Sequence, residues 1–185
     1  MQETRKMKFE AKVLAEIIVF AALSAALYTL RPFSLPYGGS ITLGSMVPVM
    51  WLALRRGLRI GCVAGAIFGL AALPIDVMLL PYSPITNPLQ VVLEYPIAFG
   101  MLGLAGLFHK KSTVLAIVGV GLSVFIKFLL HFIAGIIFWA YTVPTGWDPA
   151  VYSAVYNGSF LFPEFIISGI LIFILVKTGT LEYGL

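Results

Sequence analysis

The chain reads as an all-α integral-membrane protein, a six-helix bundle with both termini cytoplasmic, and three observations carry that reading. Of its 185 residues 60% are apolar and 11% charged, with a mean hydropathy of +1.00; a water-soluble domain of this length does not have that composition. Apolar runs fall at 9–31, 41–54, 57–73, 88–108, 113–141 and 150–177, and 185 residues accommodate six spans of roughly 20 residues with short links, as a single domain over residues 1–185. The links alternate in chemistry. One set carries Arg55, Arg56 and Arg59, or His109, Lys110 and Lys111; the other carries proline, glycine and aromatic residues. With six spans, the positive-inside rule puts the basic N-terminus, both basic links and Lys177 on the cytoplasmic face.

Each element has its own justification. The opening MQETRKMKFEAK is basic and runs into apolar sequence without a small-residue cleavage site, so a retained first helix is expected in place of a signal peptide. That helix carries Ala21 and Ala25, and Ala22 and Ala26, at the four-residue spacing that permits close helix approach. The second run is short for a span. The third holds the row Gly61, Gly65, Gly69, expected to serve internal packing, and the single Cys62, which has no internal disulfide partner and reads as a buried structural thiol. Between Leu73 and Asn87, Pro74, Pro81, Pro84 and the Asn87-Pro88 step predict an irregular link that dips toward the membrane.

The last three runs hold the ionisable residues. In LQVVLEYPIAFGML, Glu94 and Tyr95 precede Pro96, whose missing N–H leaves a backbone carbonyl free and bends the helix locally. In VFIKFLLHFIAGIIFW, Lys127 and His131 are one turn apart, and Trp139 lies within about 80° of His131, so the three form a stripe. In the last run Tyr152 and Asn157 are about 140° apart, a broad face that shares a pocket near its rim. Charges at membrane depth face a cavity or a partner. A carboxylate, the rings of Tyr95, Trp139 and Tyr152, and the polar edges of His131 and Asn157 together describe a slot for a flat, cationic heteroaromatic. The competing arrangement is a buried structural ion pair between Glu94 and Lys127, with the aromatics as packing. Tyr37, Tyr82, Tyr141 and Trp147, in the proline- and glycine-rich loops, form either a lid over the pocket or an interfacial aromatic belt.

The stretches LPYGGSITLGSMVPVMWLALRRG, LEYPIAFGMLGLAGLF, FLLHFIAGIIFW and YSAVYNGSF resemble the thiamine-specific substrate-binding (S) component of energy-coupling factor (ECF) transporters, in order and over most of the chain. The resemblance implies a multi-pass cell-membrane protein of a prokaryote. It would capture thiamine from outside and work with a transmembrane coupling (T) protein and two ABC-type ATPase subunits, toppling in the membrane when coupled. It places Glu94, Tyr95, His131, Trp139, Tyr152 and Asn157 on the family's vitamin-binding positions and turns the alanine pattern of the first helix toward the coupling protein. It also implies roles: Glu94 for the charge of the thiazolium or the aminopyrimidine, Trp139 and His131 as stacking faces, Tyr152 and Asn157 at the ring edges, and Tyr95 toward the hydroxyethyl tail. Two departures concern the lid. Tyr37 is the nearest ring where some relatives place a tryptophan, and Pro144 stands where one has a ring, although Trp147 matches a family tryptophan. Lys127 sits beside a cationic ligand and is expected to pair with a carboxylate or with the phosphate of a derivative.

Other classes fit less well. No Walker A sequence, H-E-x-x-H motif or paired intramembrane aspartates occur, so no ATPase or other enzyme is expected in this chain. The pattern calls for no metal and no cofactor. Basic residues are scattered and form no stripe for nucleic acid. The alternatives are an S component for another aminopyrimidine or cationic vitamin precursor, or a small secondary transporter, against which the absence of a visible repeat between the halves counts.

Overall fold

A computed structural model describes residues 2–81, 85–109 and 111–179; Tyr82, Pro84 and Lys110, which entered the reading above, lie outside them. Helix α1 spans Gln2–Tyr28, α2 Val47–Arg56, α3 Leu58–Leu79, α4 Pro88–Phe108, α5 Thr113–Phe138 and α6 Pro149–Lys177. Five of them, all but α2, are long and apolar enough to cross a membrane.

The second expected span is the largest departure. Instead of a helix over 41–54, Ser40–Ile41 pairs antiparallel with Phe33–Ser34, here β2 and β1, and the chain turns at Gly44, whose φ of +82° suits glycine. Helix α2 then starts under the fixed φ of Pro48 and runs ten residues, about 15 Å. It is half the length of a span, yet Val49, Met50, Leu52 and Ala53 are fully buried, which makes it the axis of the bundle.

Helix α3 departs in the other direction. It does not stop near Leu73; it passes through Pro74 and continues to Leu79. The proline removes one backbone bond, and the apolar surroundings favour keeping the rest of the helix closed. The consequence is that Asp76, expected in an irregular link, lies on a helix and faces inward.

Helix α4 occupies 88–108 as expected but is not uniform. Asn87 caps it by accepting from the Leu89 N–H at 2.8 Å. A π-turn follows over Leu93–Ile97, around Pro96, and the final Met101–Phe108 segment winds as a 3₁₀-helix. Glycines set its distance from α3. A Cβ on Gly65 would lie 2.3 Å from the Phe99 carbonyl oxygen, one on Gly69 2.3 Å from that of Tyr95, and one on Gly103 2.2 Å from the Cys62 nitrogen. The glycine row therefore does pack internally, and Cys62 is half-buried in that seam.

Helices α5 and α6 run antiparallel, in register where the Ser153 Oγ donates to the Phe132 carbonyl at 2.8 Å. Helix α5 ends at Phe138, short of the expected 141, and a single 3₁₀ turn covers Ala140–Thr142. The basic links gather at one end of the bundle, where the His109 Nδ1 lies 2.8 Å from the Leu54 carbonyl oxygen and Arg56 forms a bidentate pair with Glu16, both contacts at 2.6 Å. The aromatic loops gather at the other. On α1, Ala21 is buried, Ala25 is half-buried, and Ala22 and Ala26 face outward.

Candidate functional site

A cavity open at its mouth lies under the aromatic loops, lined by aromatic and polar side chains as small-molecule sites are. Tyr37, Glu94, Tyr95, Lys127, His131, Trp139, Tyr152 and Asn157 all line it. Trp147 does not; it is half-exposed and packs edge-on against Tyr152 at 6.1 Å.

Glu94 projects from the π-turn of α4, where i→i+5 bonding widens the helix locally. Its Oε2 accepts from the Gln90 Nε2, and its Oε1 accepts from the Trp139 Nε1–H at 3.0 Å and lies 3.9 Å from the His131 Nδ1. Gln90 is itself fully buried and accepts from the Thr86 N–H at 3.2 Å, so the carboxylate is held from behind. The competing arrangement, an ion pair between Glu94 and Lys127, is absent. The Lys127 Nζ instead sits 3.5 Å from the centroid of the Phe99 ring and 3.8 Å from the Met46 Sδ, and among the described residues no carboxylate lies within ion-pair distance of it.

The polar edge comes from α6. The Asn157 Nδ2 donates to the Ser153 carbonyl at 2.9 Å and to the His131 carbonyl at 3.4 Å. These bonds occupy its donors and leave Oδ1 as the acceptor it offers the cavity. Gly135 makes room for this contact, since a Cβ there would meet the Ser153 Oγ at 2.1 Å.

The first loop covers the mouth. Tyr37 has φ +67°, a conformation few residues other than glycine adopt, and its ring lies 6.4 Å from that of Trp139. Tyr156 clamps the loop to α6: its hydroxyl accepts from the Gly39 N–H at 2.9 Å and donates to the Pro36 carbonyl.

Several residues that the sequence reading left out complete the wall. The Asp76 Oδ2 accepts from the Tyr95 hydroxyl at 2.9 Å and from the Tyr28 hydroxyl at 3.2 Å, while Oδ1 pairs with Arg31 at 2.5 Å. One buried carboxylate thus ties α1, α3 and α4 together beside Glu94, and the Tyr95 hydroxyl is committed to it. Glu164 lines the cavity's deep end, with Oε1 accepting from the Thr42 N–H. An acidic residue in the middle of an apolar run was as strong a signal at Glu164 as at Glu94. Asp76 gave no such signal, because Pro74 placed it in an expected loop.

The family model described as "Thiamine transporter protein" matches residues 14–182. The thiamine transporter ThiT of Lacticaseibacillus paracasei is 35% identical, over 79% of this chain and 77% of its own length. ThiT of Bacillus subtilis is 30% identical, over 92% and 94%. Among solved structures, ThiT of Listeria monocytogenes superimposes with a TM-score of 0.82 at 28% identity, over 95% of this chain and 99% of that one.

Proposed function

The chain belongs to the thiamine transporter protein family, and on that premise we propose that it is the thiamine-capturing S component of an ECF-type uptake system, with its cavity as the vitamin site. The observation that carries this reading is the Glu94 carboxylate, fixed between the Trp139 N–H and His131 at the aromatic end of the cavity. A cation bound there meets a negative charge and flat π-faces, the combination that stabilises a desolvated heteroaromatic cation.

In this arrangement Glu94 faces the ligand's charged or amino-bearing ring. Trp139 and His131 offer stacking surfaces, Tyr152 and the Asn157 Oδ1 meet the ring edge, and Tyr37 closes over the mouth. Helix α2 completes a six-helix membrane unit as its short, buried member, and the basic end of the bundle is cytoplasmic, with both termini on that side. ATP hydrolysis belongs to separate subunits, reached through a transmembrane coupling protein that docks on the outward alanines of α1.

The test is a titration of the purified, detergent-solubilised chain with thiamine, followed by tryptophan fluorescence, with riboflavin, biotin and the free aminopyrimidine as controls. Saturable quenching by thiamine, one ligand per chain at submicromolar concentration, is the expected result. A response to another vitamin and none to thiamine would overturn the substrate.

A further inference from the structure

We propose that a notch on the hydrocarbon-facing side of the α5–α6 seam is a binding site for one lipid acyl chain. The notch is a second cavity, lined only by glycine, valine, leucine and phenylalanine. A Cβ on Gly121 would lie 3.4 Å from the Phe165 ring, and one on Gly158 4.0 Å from the Phe128 ring, so each glycine receives a ring edge from the opposite helix. The two crossings are seven residues apart on each helix, about 10 Å. Between them the buried Val124 and Leu161 form the floor, and Phe125 and Phe162 stand as rims, 55% and 65% exposed.

Depth limits what can enter. Helix α5 spans Thr113–Phe138 and α6 Pro149–Lys177, so both ends of the notch lie eight or more residues from the nearest helix end, about 12 Å or more. That is the middle of a hydrocarbon core about 30 Å thick. The lining side chains offer neither a hydrogen bond nor a charge, so a headgroup or a polar solute placed there would lose its solvation without replacement.

Two kinds of apolar matter remain at this depth, a lipid chain and a neighbouring transmembrane helix. Close helix approach needs small residues on the outer surface. Here the small residues are recessed, and the projecting rings of Phe125 and Phe162 hold a helix about 10–12 Å wide away from the floor. An unbranched, flexible chain passes between the rings. Leu161 supplies a separate reason for an occupant, because it lines the cavity under the loops as well as the notch. An empty notch would leave this buried side chain with open space on two sides and forfeit its dispersion contacts on the membrane side, which an acyl chain restores.

The experiment reconstitutes the full chain in vesicles of phosphatidylcholine that carries a photoactivatable diazirine at mid-chain, and maps the labelled residues by peptide mass spectrometry. Phe125 and Phe162 are expected to take at least about threefold more label than Ile67 and Leu70, which are exposed at mid-span on α3. Gly158→Leu fills the notch from a position where a Cβ meets nothing closer than 4.0 Å, and should bring the labelling of Phe125 and Phe162 down to the level of the α3 face. The wild-type comparison alone decides if the variant does not fold. Labelling equal to that of the α3 face in the wild type, or unchanged in a folded Gly158→Leu variant, would overturn the site. Labelling below that of the α3 face, with cross-links between two copies at Phe125 or Phe162, would overturn it in favour of a second chain. The measurement uses no thiamine, so its failure would leave thiamine capture standing.

Discussion

Glu94 concentrates the chemistry of the site in one side chain. Its contacts are to Gln90, Trp139 and His131, none of which neutralises it as a lysine or arginine would. Glu94→Gln keeps the shape and the Trp139 bond but removes the charge, so thiamine binding should weaken more than tenfold, about 1.4 kcal/mol or more, with the helical circular dichroism unchanged; an unchanged affinity would take Glu94 out of the site. Asp76 has a structural weight of a different kind. Asp76→Asn leaves the buried Arg31 without a counter-charge, and breaking a buried pair from one side costs about 3–5 kcal/mol, read as a lowered unfolding midpoint in detergent. Legibility at this scale depended on neighbours. Glu94, Lys127 and His131 stood out because apolar residues surround them, whereas the role of Asp76 depends on a helix continuing past Pro74, which local propensity argues against.

At the scale of elements, the position of Glu94 is set by the seam between α3 and α4. Gly69 lets α3 approach the carbonyl of Tyr95, so Gly69→Ala forces the π-turn outward. The expected outcome is a loss of about 1–3 kcal/mol in stability together with weaker thiamine binding. Gly169→Ala on α6 is the matched control: a Cβ there meets nothing within 4 Å, and the substitution should be neutral or slightly stabilising. Thermal unfolding of the two variants side by side checks both. The long apolar runs were legible as helices because hydrocarbon leaves the backbone few alternatives. The shortness of α2 was not, since its limits come from the β1–β2 pairing and the turn at Gly44, whereas apolar content alone runs on through the whole stretch. The bend at Pro96 was expected; its form, a π-turn that aims Glu94 at Trp139, depends on packing against α3 that no local pattern records.

At the scale of the molecule, the fold separates two tasks. The loop end carries the cavity, which Tyr28 at the end of α1 lines, whereas Ala22 and Ala26 are exposed on the outer face of the same helix, where the coupling protein of the proposed system would dock. Ala22→Trp and Ala26→Trp should therefore leave the thiamine dissociation constant within about twofold while abolishing co-purification with the coupling protein and ATPase subunits. Retained co-purification would move the docking surface elsewhere. Whether the cavity is the thiamine site is settled most directly by an experimental structure of the chain crystallised with thiamine. The account requires ligand density against the faces of Trp139 and His131, with a ring nitrogen or amino group within hydrogen-bond distance of the Glu94 carboxylate. Thiamine bound elsewhere, or bound in the cavity with Glu94 turned away from it, would contradict that claim.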